Sequence, residues 1–223
     1  HAEVMAIKSV ENAALLKQST LYCSLEPCAH YGRTPPCCEL ISSHGIPHVV
    51  IGTGDPHSKV DGKGVAHLRD HGIKVEFAPS PIIFQRLNEV FWTNMTKNRP
   101  YFSLKWAENA SGHIDRNRTA EEQPLRISGP LATLRTHQLR AHVDGILVSS
   151  KTACFDRPGL TTRNWSGQDP TPIILFGQHF PLQGEWVSGL EVKPFVIGNP
   201  LPEGFSGITC DPKDLHQWAP KLL

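Results

Sequence analysis

Cysteine clustering is the feature that most limits what this chain can form. Four of the six cysteines lie within sixteen residues, from Cys23 to Cys38, and most of that stretch reads EPCAHYGRTPPCC. An even number of cysteines suits a disulfide framework mainly in short secreted chains, and nothing at the start of this sequence indicates secretion. We therefore expect reduced thiols and a metal site rather than a disulfide scaffold.

Three positions suggest the ligands of such a site. Zinc favours thiolate and imidazole donors, and a catalytic zinc keeps three protein ligands with water in the fourth place. His1, Cys28 and Cys37 would supply one imidazole and two thiolates. Glu3 stands two positions after the histidine, where a carboxylate can take a proton from an activated water and deliver it to a leaving amine. The pattern predicts a hydrolytic zinc site.

The spacing of these residues matches the signature of zinc nucleobase deaminases, H-x-E…P-C-x-x-C, with one departure. The third position after Cys28 is a tyrosine, and the next cysteines, Cys37 and Cys38, follow the insert AHYGRTPP. Spacing alone leaves either of them as the last ligand. A terminal histidine is commonly the remnant of a tag, but Glu3 and the downstream block favour the metal reading of His1.

Charge and hydropathy narrow the class of partner. The formal net charge is +1, and Lys and Arg form no basic stripe of the kind that long nucleic acids require. No apolar run approaches the roughly 20 residues that span a bilayer, and no basic segment followed by an apolar stretch opens the chain. We expect a soluble, cytoplasmic protein that binds a small molecule, with no nucleic-acid or membrane partner.

The first half of the sequence alternates between strand and helix patterns. Apolar residues at helical spacing predict a helix over AEVMAIKSVENAALL, beginning at or before His1. TLYCSL, HVVIGT and IKVEFA are predicted strands, whereas CCELISSHG and GKGVAHLRDHG are predicted helices closed by Gly45 and Gly72. Strands alternating with helices over about sixty residues predict a layered α/β sheet with parallel crossovers.

A second unit is predicted to begin near residue 98. PSPIIFQRLNEVFWTNMTKNRP has the pattern of one connecting helix that ends at Asn98, Arg99 and Pro100. After it, YFSLKWA alternates as a strand, SGPLATLRTHQLRAHVDG forms a helix, and ILVSS, TPIILF and KPFVIG are short strands. The last stretch, DPKDLHQWAPKLL, shows no closing strand. This half is therefore also α/β.

The cysteine block and the segment after it resemble one known family. TLYCSLEPCAHYGRTPPCCELI and VVIGTGDPHSKVDGKGVAHLRDHGIKV are closely similar to the deaminase half of the bifunctional riboflavin-biosynthesis deaminase/reductase family. The resemblance implies that His1, Cys28 and Cys37 bind zinc, that Glu3 is the proton shuttle, and that Cys38 is a bystander.

Two further residues of the insert, His30 and Arg33, lie beside the metal ligands in sequence, and we expect them to contact the substrate. Asp55 and Lys59 allow two readings, as turn residues or as part of the deaminase mouth.

The second half resembles the reductase domain of the same family more loosely. The segments that carry the similarity are RPYFSLKWAENASGHI and HVDGILVSSKTACFDRPGLTTR. By that match, the residues that contact NADPH are Ala107, Thr152 and Asp156. The residues that hold the substrate are Arg140, Leu160 and Arg163. The guanidinium groups of the two arginines suit a phosphate. The family pattern is broken at Ser111, Pro124 and Arg126.

The resemblance implies two partial domains. Residues 1–97 would form a cytidine-deaminase-like, three-layer α/β/α domain without its N-terminal part, and residues 98–223 a dihydrofolate-reductase-like α/β domain without its C-terminal part. The implied activity is hydrolytic deamination of 2,5-diamino-6-(5-phosphoribosylamino)pyrimidin-4(3H)-one, followed by NADPH-dependent reduction of the ribosyl group to ribityl. The implied cofactors are Zn²⁺ and NADPH, and we expect a homo-oligomer.

Two other functions stay open at this point. One is a zinc deaminase that acts on RNA or on free cytidine, which the insert and the absence of a basic path with interleaved aromatic residues disfavour. The other is a zinc-stabilised binding module without activity. Two reductase positions also have a structural alternative, since Arg140 would ordinarily be a solvated helix residue and Asp156 a turn former.

Overall fold

The computed structural model describes residues 1–32, 34–177, 187 and 189–223. Within it the chain divides into two compact units, His1–Tyr101 and Phe102–Leu223. No helix in the described ranges is both long and apolar enough to cross a membrane.

The first unit is built on three short strands with helical crossovers. In chain order its elements are helix α1 (Ala2–Lys8), a 3₁₀ helix (Ala13–Gln18), strand β1 (Thr20–Cys23), helix α2 (Cys37–Ser43), strand β2 (His48–Ile51), helix α3 (Lys63–Asp70), strand β3 (Lys74–Phe77), helix α4 (Pro81–Leu87) and helix α5 (Glu89–Lys97).

The three strands form a parallel sheet in the order β1-β2-β3, as the alternating pattern predicted. Val49 and Ile51 of β2 are fully buried and pack with Ile41 of α2 and Leu68 of α3. Both crossover helices end where glycine was predicted to close them, because Gly45 and Gly72 adopt the left-handed conformation with φ of 68° and 75°.

Two predicted helices are shorter than expected. The opening helix ends at Lys8, and the chain re-enters a 3₁₀ helix at Ala13 because the Asn12 side chain accepts the N–H of Ala14 at 3.1 Å. The connecting helix is broken between α4 and α5 at Asn88, whose side-chain amide donates to the carbonyl of Phe84 at 3.0 Å. In both cases an asparagine side chain competes with the helical backbone.

The second unit contains a four-stranded parallel sheet. Its elements are helix α6 (Pro130–Arg140), strand β4 (Gly145–Ser149), helix α7 (Ser150–Asp156), strand β5 (Thr171–Leu175), strand β6 (Phe195–Gly198), strand β7 (Gly207–Thr209), helix α8 (Leu215–Trp218) and a 3₁₀ helix (Ala219–Leu222). The strand order is β4-β5-β6-β7, and Ile174, Val196 and Ile197 of the central strands are fully buried. The α/β class predicted for both halves is confirmed.

The prediction of a strand over YFSLKWA is wrong. Residues 101–107 have no regular structure, and Leu104 and Trp106 are 82% and 62% exposed. Phe102 is half-buried and packs edge-on against Trp218, with ring centroids 5.9 Å apart. Alternation alone does not make a strand, because a strand also needs a neighbouring backbone for its hydrogen bonds. Strand β7 and helix α8, in contrast, were not predicted.

Candidate functional site

The first unit gathers a cluster of metal-ligating atoms. One donor atom from each of His1, Cys28 and Cys37 lies within 4.8 Å of the others. His1 precedes α1, Cys28 lies in the loop after β1, and Cys37 begins α2. The three residues that the sequence predicted as a set are therefore brought together by three different elements.

Backbone hydrogen bonds hold Cys28 against the start of α2. The N–H of Cys37 donates to Sγ of Cys28 at 3.2 Å, and the N–H of Cys38 donates to its carbonyl oxygen at 3.2 Å. The Nδ1 of His1 lies 3.6 Å from the same sulfur. These contacts close the insert between the two cysteines, which explains how a longer loop keeps both sulfurs near one point.

Glu3 lies beside the cluster, on the first turn of α1. The Cys37 thiol donates to Oε2 of Glu3 at 3.4 Å. Burial, reinforced by the negative charge of Glu3 and by the nearby Cys28, raises the pKa of the Cys37 thiol. A carboxylate at this distance from a ligand atom is placed to exchange protons with a molecule bound at the cluster.

Two neighbouring cysteines, Cys23 and Cys38, lie outside the donor cluster. Burial raises the pKa of Cys23 to about 12 and that of Cys38 to about 11. Both side chains belong to the hydrophobic core of the first unit. Cys38 is thus a core residue, although it adjoins a cluster residue in sequence.

The insert presents polar groups near the cluster. His30 is exposed, and its ring is stacked on that of His57 with centroids 6.2 Å apart. The Tyr31 hydroxyl donates to Glu39 at 2.5 Å, which ties the middle of the insert to α2. Arg33, predicted to contact the substrate, lies outside the described residues.

Asp55 has a clear structural role. It is buried, and its Oδ1 accepts the N–H of His57 at 2.8 Å, which makes it a turn residue. Lys59 lies in the same turn, where its N–H donates to Nδ1 of His57 at 3.1 Å. Both residues therefore shape the loop that presents His57.

Sequence reasoning overlooked Glu26, two positions before Cys28. This glutamate is only 4% exposed, and its carboxylate accepts three backbone N–H groups from residues 55–65. The available signal was an acidic residue between a predicted strand and the Pro-Cys motif, a place where a buried unpaired charge would be costly.

In the second unit, two predicted substrate residues contact the same threonine, Thr161. Nη1 of Arg140 donates to the Thr161 carbonyl at 2.9 Å, and Nη1 of Arg163 donates to the Thr161 hydroxyl at 3.3 Å. Leu160 is buried beside them, with φ of 51°. Thr162 is also buried and is fixed by Asp169, which accepts both its N–H and its hydroxyl. The two guanidinium groups are thus held close together.

His137 lies one turn before Arg140 on α6 and is 2% exposed. Its Nδ1 and the Nε of Arg140 are buried without a hydrogen-bond partner in the described structure. Burial and the positive charges of Arg140 and Arg163 lower the pKa of His137, against smaller opposing effects of the Thr161 backbone and Asp169. The ring is therefore neutral at neutral pH.

The predicted cofactor residues fall into two places. Thr152 and Asp156 lie one turn apart on α7, whose N-terminus is capped by Ser149 accepting the Thr152 N–H at 3.2 Å. The Asp156 carboxylate accepts a hydrogen bond from Arg118. Ala107 lies in the irregular stretch outside this helix and is half-buried. The positions that break the family pattern, Ser111, Pro124 and Arg126, are exposed in that same stretch.

The chain combines a His–Cys–Cys cluster, a donor set of the kind that zinc favours, with a second α/β unit. The family model of the cytidine and deoxycytidylate deaminase zinc-binding region matches residues 1–53. The family model of the RibD C-terminal domain matches residues 100–199.

Curated relatives match most of the chain. Riboflavin biosynthesis protein RibD of Aquifex aeolicus is 40% identical, over 88% of this chain and 54% of its own length. The Escherichia coli protein of the same name is 36% identical, over 80% of this chain and 47% of its own length. The chain belongs to the RibD family, and it spans about half the length of these curated relatives.

Solved structures agree with this assignment. Acinetobacter baumannii RibD superposes with a TM-score of 0.79 at 29% identity, covering 100% of this chain and 63% of the other. A diaminohydroxyphosphoribosylaminopyrimidine deaminase/5-amino-6-(5-phosphoribosylamino)uracil reductase from Thermotoga maritima superposes with a TM-score of 0.74 at 32% identity, covering 89% and 56%. The two α/β units of this chain therefore have the fold of RibD proteins.

Proposed function

We propose that residues 1–97 act as a zinc-dependent hydrolytic deaminase. The observation that carries the proposal is the cluster of His1, Cys28 and Cys37, whose donor atoms lie within 4.8 Å of one another. One imidazole and two thiolates are a donor set that zinc favours, so the residues fit the metal. When bound there, zinc supplies a Lewis acid that makes a water molecule nucleophilic near neutral pH.

Glu3 is the proposed proton carrier. Its carboxylate accepts a proton from the attacking water while the water oxygen bonds to the ring carbon that bears the 2-amino group of the pyrimidine. The same carboxylate then returns the proton to the departing nitrogen, the C–N bond breaks and ammonia leaves. The 3.4 Å contact between Glu3 and the Cys37 sulfur supports this role because it places the carboxylate beside the ligand set.

The proposed substrate is 2,5-diamino-6-(5-phosphoribosylamino)pyrimidin-4(3H)-one. The name of the Thermotoga maritima relative supports it, since that protein is titled a diaminohydroxyphosphoribosylaminopyrimidine deaminase. The formal net charge of +1 also favours a small ligand over a nucleic acid. The exposed ring of His30, stacked on His57, and Arg33 of the same insert are the proposed substrate contacts.

Residues 98–223 are proposed to act as the reductase that uses the deaminated product. NADPH, when bound, supplies the hydride that converts the ribosyl group to ribityl. The proposed cofactor contacts are Ala107, Thr152 and Asp156, and the proposed substrate contacts are Arg140, Leu160 and Arg163. The support is geometric: both guanidinium groups meet at Thr161, and a pair of guanidinium groups suits a phosphate.

Metal analysis combined with ammonia release tests the deaminase. The chain should bind one zinc and release ammonia from the diaminopyrimidine ribotide, with cytidine and RNA as comparison substrates. Glu3→Gln should keep the zinc and lower the rate by about 10²- to 10⁴-fold, the usual contribution of a general acid–base. Zinc bound without ammonia release, with Glu3→Gln changing nothing, would overturn the deaminase in favour of a zinc-stabilised module.

NADPH oxidation with the deaminated substrate tests the reductase. Arg140→Ala should raise KM for the phosphorylated substrate because it removes a charge from the proposed phosphate site. Arg135→Ala is the matched control, since Arg135 is exposed on the same helix and its guanidinium bonds to the Gln138 side chain. Equal KM values for both variants would contradict the proposed phosphate site.

The proposal also includes a homo-oligomer. Light scattering of the purified chain measures its molar mass and therefore the number of subunits.

A further inference from the structure

A buried carboxylate lies immediately before the metal cluster. Glu26 is 4% exposed, and only Pro27 separates it from Cys28. None of the ion pairs within the described ranges involves it. A charged group in such a place has to be satisfied by hydrogen bonds, because burying a charge without them is costly.

Backbone N–H groups satisfy this carboxylate. Oε2 of Glu26 accepts the N–H of Gly62 at 3.1 Å and that of Asp55 at 3.4 Å, and Oε1 accepts the N–H of Val65 at 3.1 Å. The N–H of Glu26 itself donates to the carbonyl of Thr53 at 3.0 Å. Glu26 therefore joins the segment that leads to Cys28 to the whole loop over residues 53–65.

The carboxylate also replaces a missing helix cap. Gly62 is the N-cap of α3 and has no side chain, and Val65 is the third residue of that helix. The first N–H groups of a helix lack partners within it, and an acceptor at the N-cap normally satisfies one of them. Glu26 supplies that acceptor from a distant part of the chain, with a charge that the helix dipole favours.

The packing around this contact is close. A Cβ at Gly64 would lie 2.1 Å from the carbonyl oxygen of Pro27 and 3.2 Å from Oε1 of Glu26. The first turn of α3 thus rests directly on the Pro27–Cys28 peptide. On the other side, the N–H groups of Cys37 and Cys38 hold Cys28 at its sulfur and its carbonyl.

We propose that Glu26 is a positioning residue for the metal centre. Its carboxylate fixes the peptide before Cys28 to the N-terminus of α3, so that the sulfur of Cys28 is held between α3 and α2. The same contacts fix the loop that carries His57, which stacks on His30 beside the cluster. This inference rests on the proposed zinc centre and adds a residue that touches neither metal nor substrate.

Cobalt substitution of the purified chain tests this role without relying on activity. Cobalt bound by thiolates and imidazole absorbs in the visible region, and the bands report the geometry of the ligand set. Zinc affinity is measured separately by competition with a chromogenic chelator. Glu26→Gln should weaken zinc binding by about 10- to 100-fold, as loss of a group that orients a ligand typically does, and should shift the cobalt bands. The reason is that Glu26→Gln replaces one carboxylate oxygen by an amide nitrogen, which cannot accept the backbone N–H groups that face that oxygen.

Glu76→Gln is the matched control. Glu76 lies in the same unit on β3 and pairs with Lys74 and His48, so its replacement also removes a carboxylate but should leave the affinity and the bands unchanged. If Glu26→Gln does not fold, Glu26→Asp carries the test, because it keeps the charge and withdraws it by one methylene. It should shift the affinity and the bands in the same direction by a smaller amount.

Wild-type affinity and an unchanged cobalt spectrum in a folded Glu26 variant would overturn the positioning role, whatever the loss in melting temperature. That outcome would leave the zinc centre itself intact. Absence of zinc and cobalt binding by the wild-type chain would overturn both the centre and the role of Glu26.

Discussion

The backbone N–H of Cys37 donates to the sulfur of Cys28 at 3.2 Å. In the shorter deaminase signature the two cysteines are three positions apart, whereas here they are nine apart. The bond shows how the longer loop returns to the same point: α2 begins at Cys37, and the N–H groups of its first residues face Cys28. The start of α2 therefore holds the two sulfurs near one point despite the longer insert.

Replacement of Cys37 and replacement of Cys38 should differ in their effect on zinc binding. Cys37→Ala should abolish stoichiometric zinc binding because it removes one of three donors. Cys38→Ala should keep one zinc per chain and cost about 1 kcal/mol of stability, since Cys38 packs in the core. Atomic absorption of dialysed protein and thermal unfolding measure the two effects. Equal zinc contents in the two variants would contradict the assignment of Cys37 as the ligand.

The His–Cys–Cys cluster could be predicted from the sequence because its residues belong to short motifs. His1 and Glu3 lie at the start of α1, and the family resemblance of the cysteine block chose Cys37 where spacing alone allowed Cys37 or Cys38. The parallel order of the first sheet was equally accessible, since strands that alternate with helices along the chain are typical of parallel sheets with helical crossovers.

Other features depend on contacts between distant residues, which no local pattern contains. Glu26 is buried and hydrogen-bonded because residues 55–65 fold over it. YFSLKWA has the alternation of a strand but no backbone partner among the described strands, so Leu104 and Trp106 stay exposed. Arg33 is a prediction that lies outside the described residues. In each case the missing information is the identity of a neighbour in space.

Gly64 should tolerate no side chain. A Cβ there would lie 2.1 Å from the carbonyl oxygen of Pro27, a backbone atom that cannot move independently. We expect Gly64→Ala to destabilise the first unit by about 1–3 kcal/mol, the usual cost of overpacking. Gly54→Ala is the control, because its Cβ would meet only Oε2 of Glu26 at 3.7 Å and should cost no more than about 0.5 kcal/mol. Urea unfolding followed by circular dichroism measures both, and similar midpoints would refute the close contact.

Arg118 should hold the irregular stretch of the second unit in place. Its side chain is 4% exposed, donates to Asp115 at 2.6 Å and to Asp156, and bonds the carbonyl of Glu122 at 3.1 Å. Its guanidinium also lies 5.7 Å from the ring centre of Phe155. We expect Arg118→Ala to speed amide exchange across residues 115–125 several-fold, because these bonds are the main ties of that stretch to α7.

Arg116→Ala provides the comparison for Arg118. Arg116 is exposed, and its backbone N–H bond to Asp115 at 2.8 Å survives the substitution. The substitution removes a long hydrogen bond of 3.4 Å from Nη2 to the Gln123 carbonyl, which lies within the same stretch and does not reach α7. Hydrogen exchange read by mass spectrometry should therefore show little change for this variant. Exchange rates that are equal in the two variants would mean that Arg118 does not anchor the stretch.

His137 should make the second unit less stable in mild acid. Burial and the charges of Arg140 and Arg163 lower its folded pKa below the ordinary value of about 6.5. In mild acid His137 is protonated in the unfolded chain but not in the folded chain, so the free energy of unfolding falls as pH drops below about 6.5. His137→Gln removes this linkage, so its melting temperature should fall less between pH 7.5 and pH 5.5 than that of the wild type. The control is His142→Gln, at an exposed position just after α6. The melting temperature of this variant should fall as much as that of the wild type. Melting curves at the two pH values decide, and an identical drop in all three proteins would show that His137 titrates normally.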